Sequence, residues 1–400
     1  MKPYDLVFTN LIRTGALTVI DADGVTATYR GRAPGPTATM RLHDPALGRR
    51  IVLDPEMAVG EGYMNGTLTI EDGGTLYQFL DVIYGNYINA PRTGVFGAIL
   101  GLQRTLRRWA SRNPIARSRT NVAHHYDLKD ELFDLFLDAD RQYSCAYFAM
   151  PDMTLEQAQA AKKAHIAAKL LLTPGLRVLD IGSGWGGLGL TLARDFGADV
   201  TGVTLSDNQH RVSNARAAEA GVADRCRFML RDYRNETGRY DRIVSVGMYE
   251  HVGLRNARDF FAQVARLLTD DGVAMIHTIG KFRDPGPIPS WTDKYVFPGA
   301  YVPTLSEMAP AAEAAGLYLT DVEILRLHYA ETLRHWRERF YASRAKVEAM
   351  YDARFFRMWD FYLTGSEVAF RQGEIMNIQM QLEKRQGTVP LTRGYMYRQA

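Results

Sequence analysis

The chain has 400 residues, which is long for one ordinary domain and fits two. Hydrophobic residues make up 46% and charged residues 23%, a folded globular profile, and the net charge of +3 does not favour a general nucleic-acid binder. The two cysteines, Cys145 and Cys226, give neither a disulfide framework nor a CxxC metal spacing, so no metal is expected and a reducing cytoplasm is the natural compartment.

Met1 to Thr14 has no uninterrupted apolar core of the signal-peptide kind. Three strand-like runs follow, Ala16–Ile20, Val25–Tyr29 and Ala38–Leu42, broken at Asp21–Gly24 and at Pro34-Gly35-Pro36. That pattern predicts a small β-meander. Short helices are expected near 44–52 and 55–63, a strand at Leu68–Ile70 and a helix over Thr75–Tyr87. Residues 1–100 therefore form a compact α+β module with no catalytic constellation. The apolar run Val95–Leu102 is too short to span a bilayer, so any membrane contact is expected to be peripheral. From Gly101 to Thr120 six arginines stand without an acid. This stretch is either a solvated linker or a basic segment that docks on anionic lipid.

Beyond about residue 155 strands and helices alternate. Arg177–Ile181, Asp199–Val203, Cys226–Leu230, Tyr240–Val246 and Val273–His277 read as strands, with helices at 187–196 and about 206–220. Repeated βα units predict an α/β fold, a mostly parallel sheet with helices on both faces.

Between the first strand of that series and its helix lies Leu179-Asp-Ile-Gly-Ser-Gly-Trp-Gly-Gly187, in which Gly182, Gly184 and Gly187 satisfy GxGxxG. Nicotinamide, flavin and S-adenosylmethionine (SAM) enzymes all use such loops. Two details favour SAM. Asp180 stands where a carboxylate suits a cationic ligand and repels a pyrophosphate. The second strand ends in Val203-Thr-Leu-Ser206, without the acid that a nicotinamide ribose usually meets. Asp232, after the third strand, is a candidate for the adenine amine, with a helix-capping role as the alternative.

The ordered motifs His124–Leu128, Leu135–Asp138, Tyr143–Phe148, Asp180–Gly187, Val203–Ser206, Met248–Gly253, His277–Ile279, Tyr295–Gly299, His328–Ala330 and Tyr362–Gly365 resemble the cyclopropane fatty acid synthase family. The likeness covers roughly 121–390. It implies a Rossmann-like class I SAM-methyltransferase domain over 121–400. An N-terminal α+β lipid-binding domain would occupy 1–100, with a linker at 101–120. Two departures stand out: Ser183 where the family usually has Cys, and Arg141-Gln142 where a Met-containing pair is expected.

The resemblance also implies a chemistry. A methylene group passes from SAM to a cis double bond of a phospholipid acyl chain, and a bound bicarbonate removes the proton that lets the ring close. By motif, bicarbonate is held by Cys145, Glu250, His277, the backbone of Ile279, and Tyr329; a thiol, an imidazole, a phenol and an N–H can all donate to an anion. Each has a plainer alternative: a buried apolar thiol, a helix cap, a satisfied strand-end histidine, a packed tyrosine. Cofactor contacts carried over are Tyr143, Ser144, Gly182, Gly184, Thr204, Leu205, Gln209 and Asp232, with Tyr249 beside them. Aromatic residues around Trp291–Phe297 and Trp359–Tyr362 are candidate acyl-pocket walls or ordinary core. The family further implies phospholipid at the inner membrane face as partner and a homodimer. Competing readings are a methyl- or methylene-branched product and a lipid-binding protein with an inactive methyltransferase domain.

Overall fold

The computed structural model describes residues 2–88, 128–282 and 285–397. The apolar run Val95–Leu102, the arginine-rich stretch 101–120 and residues 124–127 of the first motif lie outside the described residues. The chain falls into two compact units. One comprises Met1–Ala110, Ile288–Pro298 and Leu333–Glu374, the other Ser111–Pro287, Gly299–Thr332 and Ile375–Ala400.

The first unit contains strands β1 (Thr14–Ile20), β2 (Thr26–Arg30), β3 (Ala33–Leu42) and β4 (Leu68–Ile70) in the order β2-β1-β3-β4. The expected meander does not form. β1 is antiparallel to β2 but parallel to β3, so the chain crosses the start of β1 between its second and third strands. Gly31 makes the crossing: a Cβ there would sit 2.2 Å from the carbonyl carbon of Arg13. β3 also starts earlier than expected and runs through Pro34-Gly35-Pro36. β4 pairs only with Met40–Leu42, so the early part of β3 has an open outer edge where proline's missing N–H breaks no ladder bond.

Helices Pro55–Asn65 and Leu76–Ile88 were expected within a residue or two. Leu17, Val19, Met40, Leu47 and Phe79 form the core of this unit, and Val368 joins them. Val368 belongs to the helix Ala353–Arg371, which the division at 100 and 121 would assign elsewhere. That helix docks through polar contacts as well. Asp360, fully buried, accepts hydrogen bonds from the Tyr63 and Tyr341 hydroxyls at 2.7 and 2.8 Å. Arg357 Nε donates to the Met64 carbonyl at 2.9 Å. The aromatic residues considered as acyl-pocket walls also lie in this unit, where Tyr362 meets Phe297 and Trp359 edge-on at 5.5 and 5.2 Å.

The second unit is built on seven strands: β5 (Arg177–Ile181), β6 (Asp199–Thr204), β7 (Cys226–Leu230), β8 (Tyr240–Val246), β9 (Leu268–Lys281), β12 (Tyr318–Ile324) and β13 (Ile375–Glu383). A separate two-residue pair joins β10 (Gly286–Pro287) to β11 (Tyr301–Val302). The sheet order is β12-β13-β9-β8-β5-β6-β7. β5 to β9 are parallel, and β13 is antiparallel to both β9 and β12. Alternate residues feed two cores. Val178, Val200, Phe228, Val244 and Met275 point to one face; Leu179, Val203, Ile243 and Ile276 point to the other. Parallel strands covered on both faces carry near-continuous apolar runs, which is why they were legible in the sequence. No helix among the described residues is long and apolar enough to cross a membrane.

Gly31→Val forces a side chain into the Arg13 backbone. It should lower the unfolding free energy by about 2 kcal/mol in a urea titration; an unchanged midpoint would show that the crossing has room to spare.

Candidate functional site

Strand order reverses around β5, with β6 on one side and β8 on the other, and ligands of open parallel sheets bind at the carboxyl ends beside such a reversal. A cleft lies there, with about 1290 Å³ of atom-free space, open solvent included. All nine expected cofactor residues line it: Tyr143, Ser144, Asp180, Gly182, Gly184, Thr204, Leu205, Gln209 and Asp232. Gly182 and Gly184 have φ of +80° and +54°, the left-handed backbone that glycine adopts without strain. Ser206 caps the helix Asp207–Glu219, and the Thr204 hydroxyl donates to Gln209 Oε1 at 2.8 Å.

Burial pushes the Asp180 carboxyl up to about 7, against the pull of the nearby Lys162 charge, and its Oδ2 has no hydrogen-bond partner among the described residues. The Ser183 hydroxyl is likewise buried and has no partner among the described residues. A carboxylate in this state fits a ligand that brings a positive charge. Asp232 is differently placed. It accepts from the Arg234 amide and guanidinium, both at 2.9 Å, so the capping role and the cleft-lining role coincide.

Residues 140–144 are strapped down by one face of the helix Leu155–Lys169. Lys162, fully buried, donates to Gln142 Oε1 at 2.6 Å and to Ser144 Oγ at 2.8 Å. Gln159 Nε2 donates to the Ser144 carbonyl at 2.9 Å, and Lys163 pairs with Asp140. Burial lowers the Lys162 pKa to about 8. Sequence reasoning missed Gln159 and Lys162, because a lysine on an amphipathic helix reads as solvent-facing.

The five expected catalytic residues do not line this cleft; one hydrogen bond joins Glu250 to Ile279, and the others lie on segments described in turn. Glu250, in the turn after β8, accepts the Ile279 N–H of β9 at 2.6 Å. His277 lies two residues before Ile279, and its carbonyl accepts the Gly247 N–H at 2.9 Å. Cys145 and Tyr329 sit on adjoining segments: the amides of Ala146 and Phe148 donate to Thr332 Oγ1 and His328 Nδ1, each at 3.0 Å. The Lys162 charge bears on Cys145, Asp180 and His277 alike. Burial pushes the Cys145 thiol up, so it stays protonated. Burial pushes Glu250 up to about 7 and His277 well below the ordinary histidine value. Glu250 Oε2 and His277 Nε2 are buried and lack a partner among the described residues. The Ile279 N–H, expected to meet bicarbonate, is engaged by Glu250 here.

A cation prefers the ionised form of Asp180, so acidification through its raised pKa should weaken SAM binding. By calorimetry the dissociation constant should rise from about pH 8 to pH 6, and Asp180→Asn should bind less tightly at the upper pH with a flattened profile. A flat wild-type profile would remove Asp180 from contact with the ligand's charge.

The chain is similar to known proteins. The family model described as mycolic acid cyclopropane synthetase matches residues 114–380. The cyclopropane-fatty-acyl-phospholipid synthase of Escherichia coli strain K12 is 35% identical over 350 residues, 86% of this chain and 87% of that protein. A probable fatty acid methyltransferase of Pseudomonas putida is 39% identical over 288 residues, 69% of this chain and 73% of its own. The crystal structure of mycolic acid cyclopropane synthase CmaA1 complexed with SAH and CTAB matches with a TM-score of 0.63 at 34% identity, over 68% of this chain and 99% of that one. The chain belongs to the cyclopropane fatty acid synthase family of SAM-dependent methyltransferases, and it is an enzyme of that class.

Proposed function

We propose that the enzyme converts a cis double bond of an unsaturated phospholipid acyl chain into a cyclopropane ring, with SAM as the one-carbon donor. The observation that carries this reading is that two buried atoms lack partners among the described residues, Glu250 Oε2 in the turn that follows β8 and His277 Nε2 on the neighbouring strand β9. Buried polar atoms without partners are rare in native proteins and call for a ligand or a chemical role. The relatives named as acting on fatty-acyl phospholipid and mycolic acid support the substrate class.

The alkene π pair forms a bond to the sulfonium methyl as the S–CH3 pair returns to sulfur, leaving a carbocation on the acyl chain. Loss of a proton from the new methyl lets the freed C–H pair close the third carbon–carbon bond. The side chains must hold the alkene in line and exclude water. Bicarbonate, held by Cys145, Glu250, His277, Ile279 and Tyr329, would supply the proton acceptor when bound. The residue types fit such an anion: a phenol and a histidine whose buried Nε2 lacks a partner among the described residues can donate to it, and the Cys145 thiol could do so by giving up its bond to the Ala146 carbonyl. Asp180 would face the cationic donor from the end of β5, just before the glycine loop.

A second reading keeps the first step and changes the proton that leaves, giving a methyl- or methylene-branched chain. The Pseudomonas putida relative, named as a probable fatty acid methyltransferase, favours keeping it in view. Incubation with SAM and vesicles of unsaturated phospholipid should add one methylene unit and remove the double bond. Survival of an alkene, located by hydrogenation and fragmentation, would decide for the branched product, and an unchanged lipid profile would reject both.

Glu250→Gln and His277→Ala should leave SAM affinity within a few fold and cut turnover by roughly a hundredfold or more, since they act on proton removal. Full activity in both variants would dissolve the site assignment.

The N-terminal unit and the arginines at 101–120 are proposed to hold a homodimer on the inner face of an anionic membrane. Vesicle sedimentation should then weaken as salt is raised from about 0.05 to 0.5 M; salt-insensitive binding would place the contact elsewhere.

A further inference from the structure

β13 alternates along its length. Met376, Ile378, Met380 and Leu382 enter an apolar core, while Asn377, Gln379 and Gln381 are just as buried on the opposite face. Register places Gln379 directly across from His277, and Asn377 across from Ile279. Directly opposed residues of an antiparallel pair share a face, so these amides stand beside the histidine.

Gln381 is held by structural bonds on both ends of its amide. Its Nε2 donates to the Lys169 carbonyl at 2.6 Å, and its Oε1 accepts from the Thr320 and Tyr395 hydroxyls at 3.0 and 2.9 Å. Gln379 is not. Its Nε2 lies 3.1 Å from His277 Nδ1, and its Oε1 is buried and unpaired among the described residues. In this orientation of the Gln379 amide its NH2 faces His277 Nδ1, and an NH2 has only protons to give, so Nδ1 offers its lone pair. The ring proton of the neutral imidazole then sits on Nε2, the buried nitrogen that has no partner among the described residues.

With the methylene-transfer reading of the site as its basis, we propose that Gln379 is a positioning residue that holds His277 as the Nε2–H tautomer, so that His277 donates a hydrogen bond to the anionic proton acceptor and does not itself take the proton. Two neighbours agree with this assignment. Burial depresses the basicity of His277, which suits a donor and disfavours a base. The Ile279 amide, on the same strand, is also a donor, and Glu250 accepts it.

The test is spectroscopic and kinetic, on the full chain. Long-range proton–nitrogen correlation of 15N-histidine-labelled protein reports which ring nitrogen carries the proton. The His277 signal is identified among the nine histidines by its loss in His277→Ala. The wild type should show a protonated Nε2 and an unprotonated Nδ1; a protonated Nδ1 would overturn the assignment with no variant needed. In Gln379→Glu a carboxylate replaces the donor, so the proton should move to Nδ1 or the ring become doubly protonated. Turnover should then fall about tenfold or more with the KM for SAM within twofold, because a wrong tautomer leaves the geometry intact but the chemistry impaired. Gln379→Leu should give a mixed tautomer signal and an intermediate loss. If Gln379→Glu changes the tautomer but keeps wild-type turnover while His277→Ala is inactive, the positioning role is overturned and the methylene-transfer reading survives. If His277→Ala is itself fully active, that reading falls, and the positioning role falls with it.

Discussion

A buried ammonium must be held, and Lys162 is held by two uncharged side chains of the segment that walls the cofactor cleft. Its bonds to Gln142 Oε1 and Ser144 Oγ are made without an adjacent carboxylate, although Asp138 acts on it at longer range. Leaving a buried charge without its hydrogen bonds is strongly destabilising, so the positions of Gln142 and Ser144 are dictated by the lysine as much as by their own backbone. Tyr143 and Cys145 lie between and beside these anchors. The next residues, Ala146 and Phe148, dock onto the helix His328–Ala342 through Thr332 and His328. One buried cation therefore sets where the cleft ends and where the thiol begins.

Four of the buried atoms without a partner among the described residues belong to expected site residues: Asp180 Oδ2 at the end of β5 and Ser183 Oγ in the glycine loop, Glu250 Oε2 in the turn after β8 and His277 Nε2 within β9. Each buried unpaired atom costs about 1–3 kcal/mol. Such a cost is tolerable in a protein whose total stability is about 5–15 kcal/mol only if something recovers it. The β13 stripe shows the change within one strand. Gln381 is satisfied by its surroundings, whereas Gln379 and Asn377, nearer the end of β9 that carries His277 and Ile279, each leave an oxygen open.

The glycine loop was legible because its signal is local: strand, turn glycines and helix follow one another in the chain, whereas Tyr143, Ser144 and Gln209 entered only through the family resemblance. Pairing partners are not local. The runs at 16–42 predicted three strands correctly and their arrangement wrongly, because β3 finds the free edge of β1 rather than that of β2. Burial of polar residues was hidden for a related reason. Asn377-Ile-Gln-Met-Gln381 alternates like a strand with one wet face, and it takes distant partners, among them the Lys169 carbonyl more than two hundred residues earlier, to bury that face. The division into units shows the same limit. Nothing in the helix Ala353–Arg371 announces that Val368 completes a core begun at Leu17.

Burial shifts the pKa values of Glu250 and His277 in opposite directions and favours the neutral form of both. It raises the acid to about 7 and lowers the histidine, so both are driven toward neutrality and the two do not form a carboxylate–imidazolium pair. A side chain serving as base here would have to carry its charge, or regain it, in a desolvated site before a counter-charge arrives. A small anion that binds from solution escapes that difficulty, because its charge enters together with that of a cationic donor, and the side chains need only supply hydrogen bonds. The neutral, donor-rich character of this cluster is what such a division of labour requires. On the proposed reading the carboxylate for the cation, Asp180 on β5, stands apart from Glu250 in the turn after β8 and His277 on β9.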